Sequence, residues 1–211
     1  MIKAVIFDID GVLLDSFEAN LKFFQNLMTA AGYRPPTREE FPSLFHLSMM
    51  DVIKKLTNAR SEEEIMRVFK LGESREVDYP IELLNTPDGT DETIKALSED
   101  YLLGIVTSRI RKSVYESPKL ARLEQYFSAA VAYEDTDNHK PHPDPLLLAA
   151  NKLGVKPSEC VYVGDVENDV KAARAAGMKS LIFSKNKISG ADAETADFKA
   201  IPVLIKVLAG D

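Results

Sequence analysis

Short, wholly apolar runs alternate with longer amphipathic stretches along most of the chain. Val5-Ile6-Phe7, Leu102 to Val106, Phe127 to Val131, Val161 to Val163 and Leu181 to Phe183 carry little polar alternation. That is the pattern of strands buried on both faces. Between them, apolar residues return at helical spacing. Ile94 and Leu97 mark one helix, and Asp144-Pro145 opens another that closes at Gly154. Val166, Val170 and Ala173 line a third that stops at Gly177, and Ile201 to Leu208 gives a terminal one. A helical piece is expected around Ser113 to Tyr115, interrupted by Pro118. Strands alternating with helices predict an α/β protein: a parallel five-stranded core sheet with helices on both faces.

One segment breaks the alternation. From Ser16 to Leu84 only helical patterns occur. Ser16 is a good N-cap for a helix carrying Phe17, Leu21, Phe24, Leu27 and Ala31, and Gly32 is its stop. Pro35 and Pro36 punctuate, and Thr37 to Thr57 reads as one or two shorter helices. Ser61-Glu62-Glu63-Glu64 has the form of a capping box, followed by Ile65, Val68 and Phe69, with Gly72 expected to weaken that helix. Asn85-Thr86-Pro87-Asp88-Gly89 is a turn-rich hinge. The expected division is an α/β core domain of residues 1–15 and 85–211 and an inserted all-helical domain of residues 16–84. The inserted domain is expected to cover the sheet edge next to the first strand.

Candidate chemistry falls at strand ends. Asp8 and Asp10 close the first strand and Gly11 follows at once. In an extended chain, residues two apart project to the same side. A helix cap or turn would explain one aspartate more naturally than two. Thr107 and Ser108 close the second strand, offering hydroxyls and N–H groups to phosphate oxygens, although a helix cap would use them too. Asp165 ends the fourth strand and Asp169 lies one helical turn later, where helix N-terminus complementation is the plainer alternative. Two carboxylates about 4 Å apart repel by roughly 4 kcal/mol at an effective dielectric near 20. Such convergence demands raised pKa values or a bound cation, and several hard oxygen ligands favour Mg²⁺. Lys140 precedes Pro141, which restricts its backbone, and could pair with a carboxylate and a phosphoryl oxygen. His139 and His142 have no further partners resembling a zinc set.

Composition narrows the function classes. The formal net charge of −7 gives no support to nucleic-acid binding, so any anion site must be built locally. The single cysteine, Cys160, beside a Val-Tyr-Val run, reads as a buried hydrophobe in a reducing compartment. No apolar run reaches the ~20 residues of a membrane span. The expectation is a cytoplasmic protein with no membrane and no nucleic-acid partner.

Together the strand-end features resemble the haloacid dehalogenase superfamily, in the branch of phosphoglycolate phosphatase and β-phosphoglucomutase. The motifs are Asp8-Ile9-Asp10-Gly11-Val12, Thr107, Lys140 followed by proline, and Gly164-Asp165-Val166-Glu167-Asn168-Asp169, with Ala173-Arg174-Ala175-Ala176-Gly177-Met178 also in keeping. The resemblance implies a Rossmann-like five-stranded core with a helical cap domain inserted after the first motif. It implies Asp8 as the nucleophile that forms an aspartyl-phosphate, and Asp10 as the acid/base. Thr107, with Ser108, would hold the transferring phosphoryl group, and Lys140 would balance its charge and that of Asp8. The Asp8 side chain, the Asp10 carbonyl, Asp165 and, directly or through water, Asp169 would hold Mg²⁺. The implied function is Mg²⁺-dependent hydrolysis of a small phosphorylated metabolite by a monomer or homodimer. The alternatives are a phosphosugar mutase or a non-catalytic binding protein of the same fold. The mutase branch usually has a histidine near Asn20, dehalogenases lack the equivalent of Asp10, and a binding protein would be expected to lose Asp8 or Asp10. Specificity is expected from Leu44 to Met50, where Phe45, His46 and Met49 either face the site or pack the core. His46 stands where related phosphatases often have glycine. Arg109 and Arg111 could bind a substrate anion, but exposed arginines after a strand are usually solvated.

Overall fold

The computed structural model describes residues 1–58 and 61–210. The chain divides into two compact units, Met1–Asp15 with Asn85–Asp211, and Ser16–Leu84.

The first unit is built on a wholly parallel sheet. Its strands are β1 (Ala4–Phe7), β2 (Leu102–Val106), β3 (Phe127–Val131), β4 (Cys160–Gly164), β5 (Lys179–Phe183) and β6 (Ala193–Thr195), in the order β3-β2-β1-β4-β5-β6. Among the described residues the sheet thus has six strands, not the five expected. The sixth escaped because it is three residues long, lies at the edge and is part-exposed, so it needs no apolar run. The central strands are apolar because both faces are covered: β1 is buried at every position.

The helices of this unit are α4 (Thr90–Asp100), α5 (Pro118–Ala121), α6 (Asp144–Leu153), α7 (Glu167–Ala176) and α8 (Ile201–Ala209), counted after three in the second unit. Ala4, Ile6 and Tyr162 of the sheet join Leu146, Ala149, Ala173 and Ala176 in one core layer. On the other face Phe7 stacks on Phe198, centroids 6.4 Å apart. Pro118 opens a short helix instead of interrupting one, since its missing N–H is no loss at a first turn. The piece before it is a 3₁₀ turn over Arg111–Ser113.

The sheet order reverses direction between β1 and β4, which are hydrogen-bonded neighbours with Phe7 opposite Val163. In open α/β sheets the crevice beyond the carboxyl ends at such a switch point is where ligands bind.

The second unit contains α1 (Phe17–Ala31), α2 (Met49–Thr57) and α3 (Glu62–Glu73). Ser48 and Ser61 cap α2 and α3 through their hydroxyls. Its core includes Phe24, Leu27, Met28, Phe41, Val52, Ile53 and Val68. Gly72 is buried inside α3 and the helix continues past it. Phe45 and Met49 pack against this core. Asn20 accepts a hydrogen bond of 2.7 Å from the Tyr79 hydroxyl within the same unit.

Candidate active site

Parallel pairing puts the residues after β1, β2 and β4 at one edge. The Asp8 N–H donates to Val163 O at 2.9 Å, so the β1–β4 ladder runs one residue past the strand and fixes the Asp8 backbone. Asp8 is 7% exposed. Its Oδ1 accepts the Ile9 N–H at 2.7 Å, and its Oδ2 accepts Lys140 Nζ at 2.6 Å.

Lys140 enters from the loop before α6. Its Nζ also donates to Asp169 Oδ1 at 2.8 Å and to the Tyr162 hydroxyl at 2.9 Å. An ammonium has three protons, and each here has a fixed acceptor. The lysine is thereby a countercharge locked in place. Asp169 is 1% exposed, and its Oδ2 accepts the N–H groups of Asp165 at 2.9 Å and Val166 at 3.2 Å. Asp169 therefore caps α7 and pairs with the lysine at once, so the helix-terminus reading holds for half of its carboxylate.

Two glycines make the convergence possible. A Cβ at Gly164 would lie 2.3 Å from Asp169 Cβ. Gly11 has φ of +81°, the left-handed region, and a Cβ there would lie 2.0 Å from Asp165 Oδ2. The glycine after the acidic pair thus both turns the chain and makes room for the opposing aspartate.

Carboxylate oxygens of Asp8, Asp165 and Asp169 all lie within 4.8 Å of one another. Burial, with the neighbouring carboxylates adding to it, pushes Asp8 up to about 7 against the pull of Lys140. Burial first, then Asp169 and Asp8, pushes Asp165 up to about 9. Burial alone would lower Lys140, but Asp169 and Asp8 outweigh it and hold the ammonium well above its usual range. Three acidic groups sharing one lysine resist full ionisation unless a cation joins them. Hard oxygen donors in that arrangement fit Mg²⁺. Neither His139 nor His142 belongs to this cluster; His139 stacks on Tyr133 with centroids 3.9 Å apart.

Asp10 departs from the expected geometry. The strand ends at Phe7, and Asp10 lies in the turn that follows, bridged to Leu14. Its carboxylate is gripped by Arg109, Nε to Oδ2 at 2.8 Å and Nη2 to Oδ1 at 2.7 Å. Arg109, expected to be solvated, has a side chain only 9% exposed. Arg111, by contrast, is half-exposed and paired with Asp135.

Thr107 is buried at the end of β2, its N–H donating to Val131 O at 3.0 Å and its Oγ1 accepting the Arg109 N–H at 3.2 Å. Ser108 follows it, part-exposed. The structure thus brings Asp8, Lys140, Asp165 and Asp169 into direct contact or near it. It sets Asp10 against Arg109, and Thr107 with Ser108 at the neighbouring strand end. Sequence reasoning missed Tyr162 and the pairing of Arg109 with Asp10. A tyrosine within a fully buried strand needs a partner for its hydroxyl, which was the available signal for Tyr162.

The model of the haloacid dehalogenase-like hydrolases matches residues 5–183. A pyrophosphatase PpaX of Bacillus cereus strain AH820 is 32% identical over 186 residues, 87% of this chain and 83% of the relative. A crystal structure of a haloacid dehalogenase-superfamily hydrolase, subfamily IA, variant 1, from Geobacter sulfurreducens is 30% identical with a TM-score of 0.72, covering 97% of this chain and 96% of that one. A β-phosphoglucomutase of Clostridium difficile is similar in fold, with a TM-score of 0.82 at 23% identity, over 98% of this chain and 96% of that one.

Proposed function

Because the chain belongs to the haloacid dehalogenase-like hydrolases, we propose that it is a Mg²⁺-dependent phosphatase acting on a small phosphorylated metabolite through an aspartyl-phosphate on Asp8. The observation that carries this reading is the Asp8 carboxylate, buried at the sheet's switch point and held by a lysine that is itself fully engaged. A carboxylate so fixed is a nucleophile with little orientation left to find.

The ion would be held by the side chains of Asp8 and Asp165 and by the Asp10 carbonyl, with Asp169 supporting it directly or through water. When bound, it supplies charge neutralisation for the phosphoryl oxygens. An Asp8 oxygen attacks phosphorus as the bond to the leaving oxygen breaks, and the Asp10 carboxyl gives its proton to that oxygen. Water then attacks the phosphoryl group, its proton passes to Asp10, and the Asp8–phosphorus bond breaks to regenerate both groups. Thr107 and Ser108 would hold the phosphoryl oxygens from the β2 end. Lys140 offsets the charge on Asp8 and Asp169 throughout.

The name of the Bacillus cereus relative favours inorganic pyrophosphate as the first substrate to try. The test is phosphate release from pyrophosphate, phosphoglycolate, sugar phosphates and nucleotides, with Mg²⁺, with chelator, and with Asp8→Asn. Release that needs Mg²⁺ and Asp8 is expected. Release that survives Asp8→Asn would sink the nucleophile, and interconversion of sugar phosphates without net phosphate release would favour a mutase.

A further inference from the structure

β3 forms one end of the sheet, and its outer edge lacks the usual defences. Phe127-Ser128-Ala129-Ala130-Val131 holds no charge and no proline, either of which discourages another strand from pairing. Its ladder with β2 slips once, between Leu103 and Gly104, and runs regularly from Ala129 to Val131. Val131 O faces β2, where it accepts the Thr107 N–H at 3.0 Å. Backbone groups alternate in direction along a strand, so the Ala130 N–H and carbonyl face outward. An outward pair of this kind is a template for a further strand.

Three charged side chains from three separate elements meet at that template. Arg111, in the 3₁₀ turn after β2, donates through Nη1 to Ala130 O at 3.3 Å. Lys152, in the last turn of α6, donates to the same carbonyl at 3.2 Å. Asp135, in the turn after β3, accepts the Ala132 N–H at 2.9 Å, the next outward donor along the chain. Asp135 also pairs with the Arg111 guanidinium and lies 3.5 Å from Lys152 Nζ. The Arg111 N–H donates to the Glu134 carboxylate at 2.9 Å, which fixes the base of its side chain. Simpler readings explain parts of this. Asp135 closes its own turn, and a lysine suits the end of a helix. Neither brings two cations to one edge carbonyl. Exposed ion pairs add little stability, so the placement of these groups matters more than their strength.

We infer that Arg111, Asp135 and Lys152 guard the β3 edge, keeping a second copy of this chain from adding its own β3 to the sheet. The edge is self-complementary. Two copies set antiparallel about Ala130 would exchange N–H and carbonyl in a two-fold pair, and the Ala130 methyl is too small to prevent the approach. With the guard in place, that pairing must displace two cations from each Ala130 carbonyl. It must also bring like charges together beside the two-fold axis. The guard is independent of the reaction proposed for Asp8.

Sedimentation velocity over a wide range of protein concentration tests this. Wild type is compared with Arg111→Ala/Lys152→Ala and with Arg111→Ala/Asp135→Ala/Lys152→Ala, with thermal melts to confirm folding. Both variants are expected to self-associate about 10- to 100-fold more tightly than wild type, as like charges leave the would-be interface. Adding Ala130→Pro removes the outward N–H while sparing the ladder to β2, and is expected to return association to the wild-type level. Hydrogen exchange at the Ala130 amide is expected to slow with rising concentration in the guard variants and to ignore concentration in wild type. Lys152→Ala, a change at a part-exposed side chain, reads the same effect in smaller measure should the multiple variants fail to fold. Association no tighter than wild type in a folded guard variant overturns the guard. So does association that Ala130→Pro leaves intact, which would place the contact on another surface.

Discussion

At the residue scale, the site is three carboxyl groups gathered about one lysine, and Lys140 is its centre. Removing it as Lys140→Met would leave Asp8 and Asp169 facing each other without their shared cation. Breaking a buried pair in this way typically costs about 3–5 kcal/mol. The expected outcome is a chelator-treated variant that melts far below wild type and is partly restored by Mg²⁺, read by calorimetry. Tyr162→Phe removes the third acceptor of the ammonium and the hydroxyl's own bond to the Val106 carbonyl at 3.4 Å. A loss of about 0.5–1.5 kcal/mol in stability is expected, with a fall in kcat exceeding any rise in KM, because the lysine is freer to wander from Asp8. An unchanged kcat would show that the hydroxyl is a structural filler.

The same residues set a pH dependence. Burial and neighbouring carboxylates raise Asp8 to about 7 and Asp165 to about 9 in the folded chain. Both values lie above the ordinary one, so the folded state holds these protons more tightly than the unfolded state does. Their contribution to stability is complete below about pH 4 and is lost as pH rises through the folded values. A cation prefers the ionised carboxylates, so its binding releases protons. Melting temperatures in chelator should therefore fall between about pH 5 and 9, and the increment given by saturating Mg²⁺ should grow over that range. An increment larger at the acidic end would contradict the assignment of these carboxylates to the ion.

At the element scale, the strand ends and the turns after them carry the residues to which the proposed chemistry is assigned. Gly11 shows how tightly they are packed. In Gly11→Ala the methyl must displace the Asp165 carboxylate, and the left-handed backbone adds about 1–2 kcal/mol of strain. A melting temperature lowered by roughly 2–8 °C is expected, together with weaker Mg²⁺ binding measured by titration calorimetry. Mg²⁺ affinity equal to wild type would show that Asp165 is not part of the site.

Most of this architecture is legible in the chain. The five longer strands read as buried apolar runs because both sheet faces are covered, and the acids at their ends stand out against that background. The sixth strand is an edge piece with the sequence Ala-Glu-Thr, and nothing in its pattern demands burial. The pairing of Arg109 with Asp10 is illegible for a different reason. An arginine after a strand is usually solvated, and only the turn that carries Asp10 out of the strand brings the two together. The period-two rule placed Asp8 and Asp10 side by side as extended residues, but the strand ends before either. The three acceptors around Lys140 come from residues spread between positions 8 and 169, and no local pattern announces that the lysine's three protons are all taken.

At the scale of the whole molecule, one parallel sheet positions the proposed reacting groups, and a separate helical unit of residues 16–84 has its own core. None of the described helices is long and apolar enough to cross a membrane. The central claim is that Asp8 is covalently phosphorylated during turnover. Enzyme mixed with Mg²⁺ and the substrate found by phosphate release, then acid-quenched, reduced with borohydride and digested, reports this directly by peptide mass spectrometry. The account predicts conversion of Asp8 to homoserine, dependent on substrate and Mg²⁺. Conversion of a different aspartate, or conversion that persists in Asp8→Asn, would contradict it.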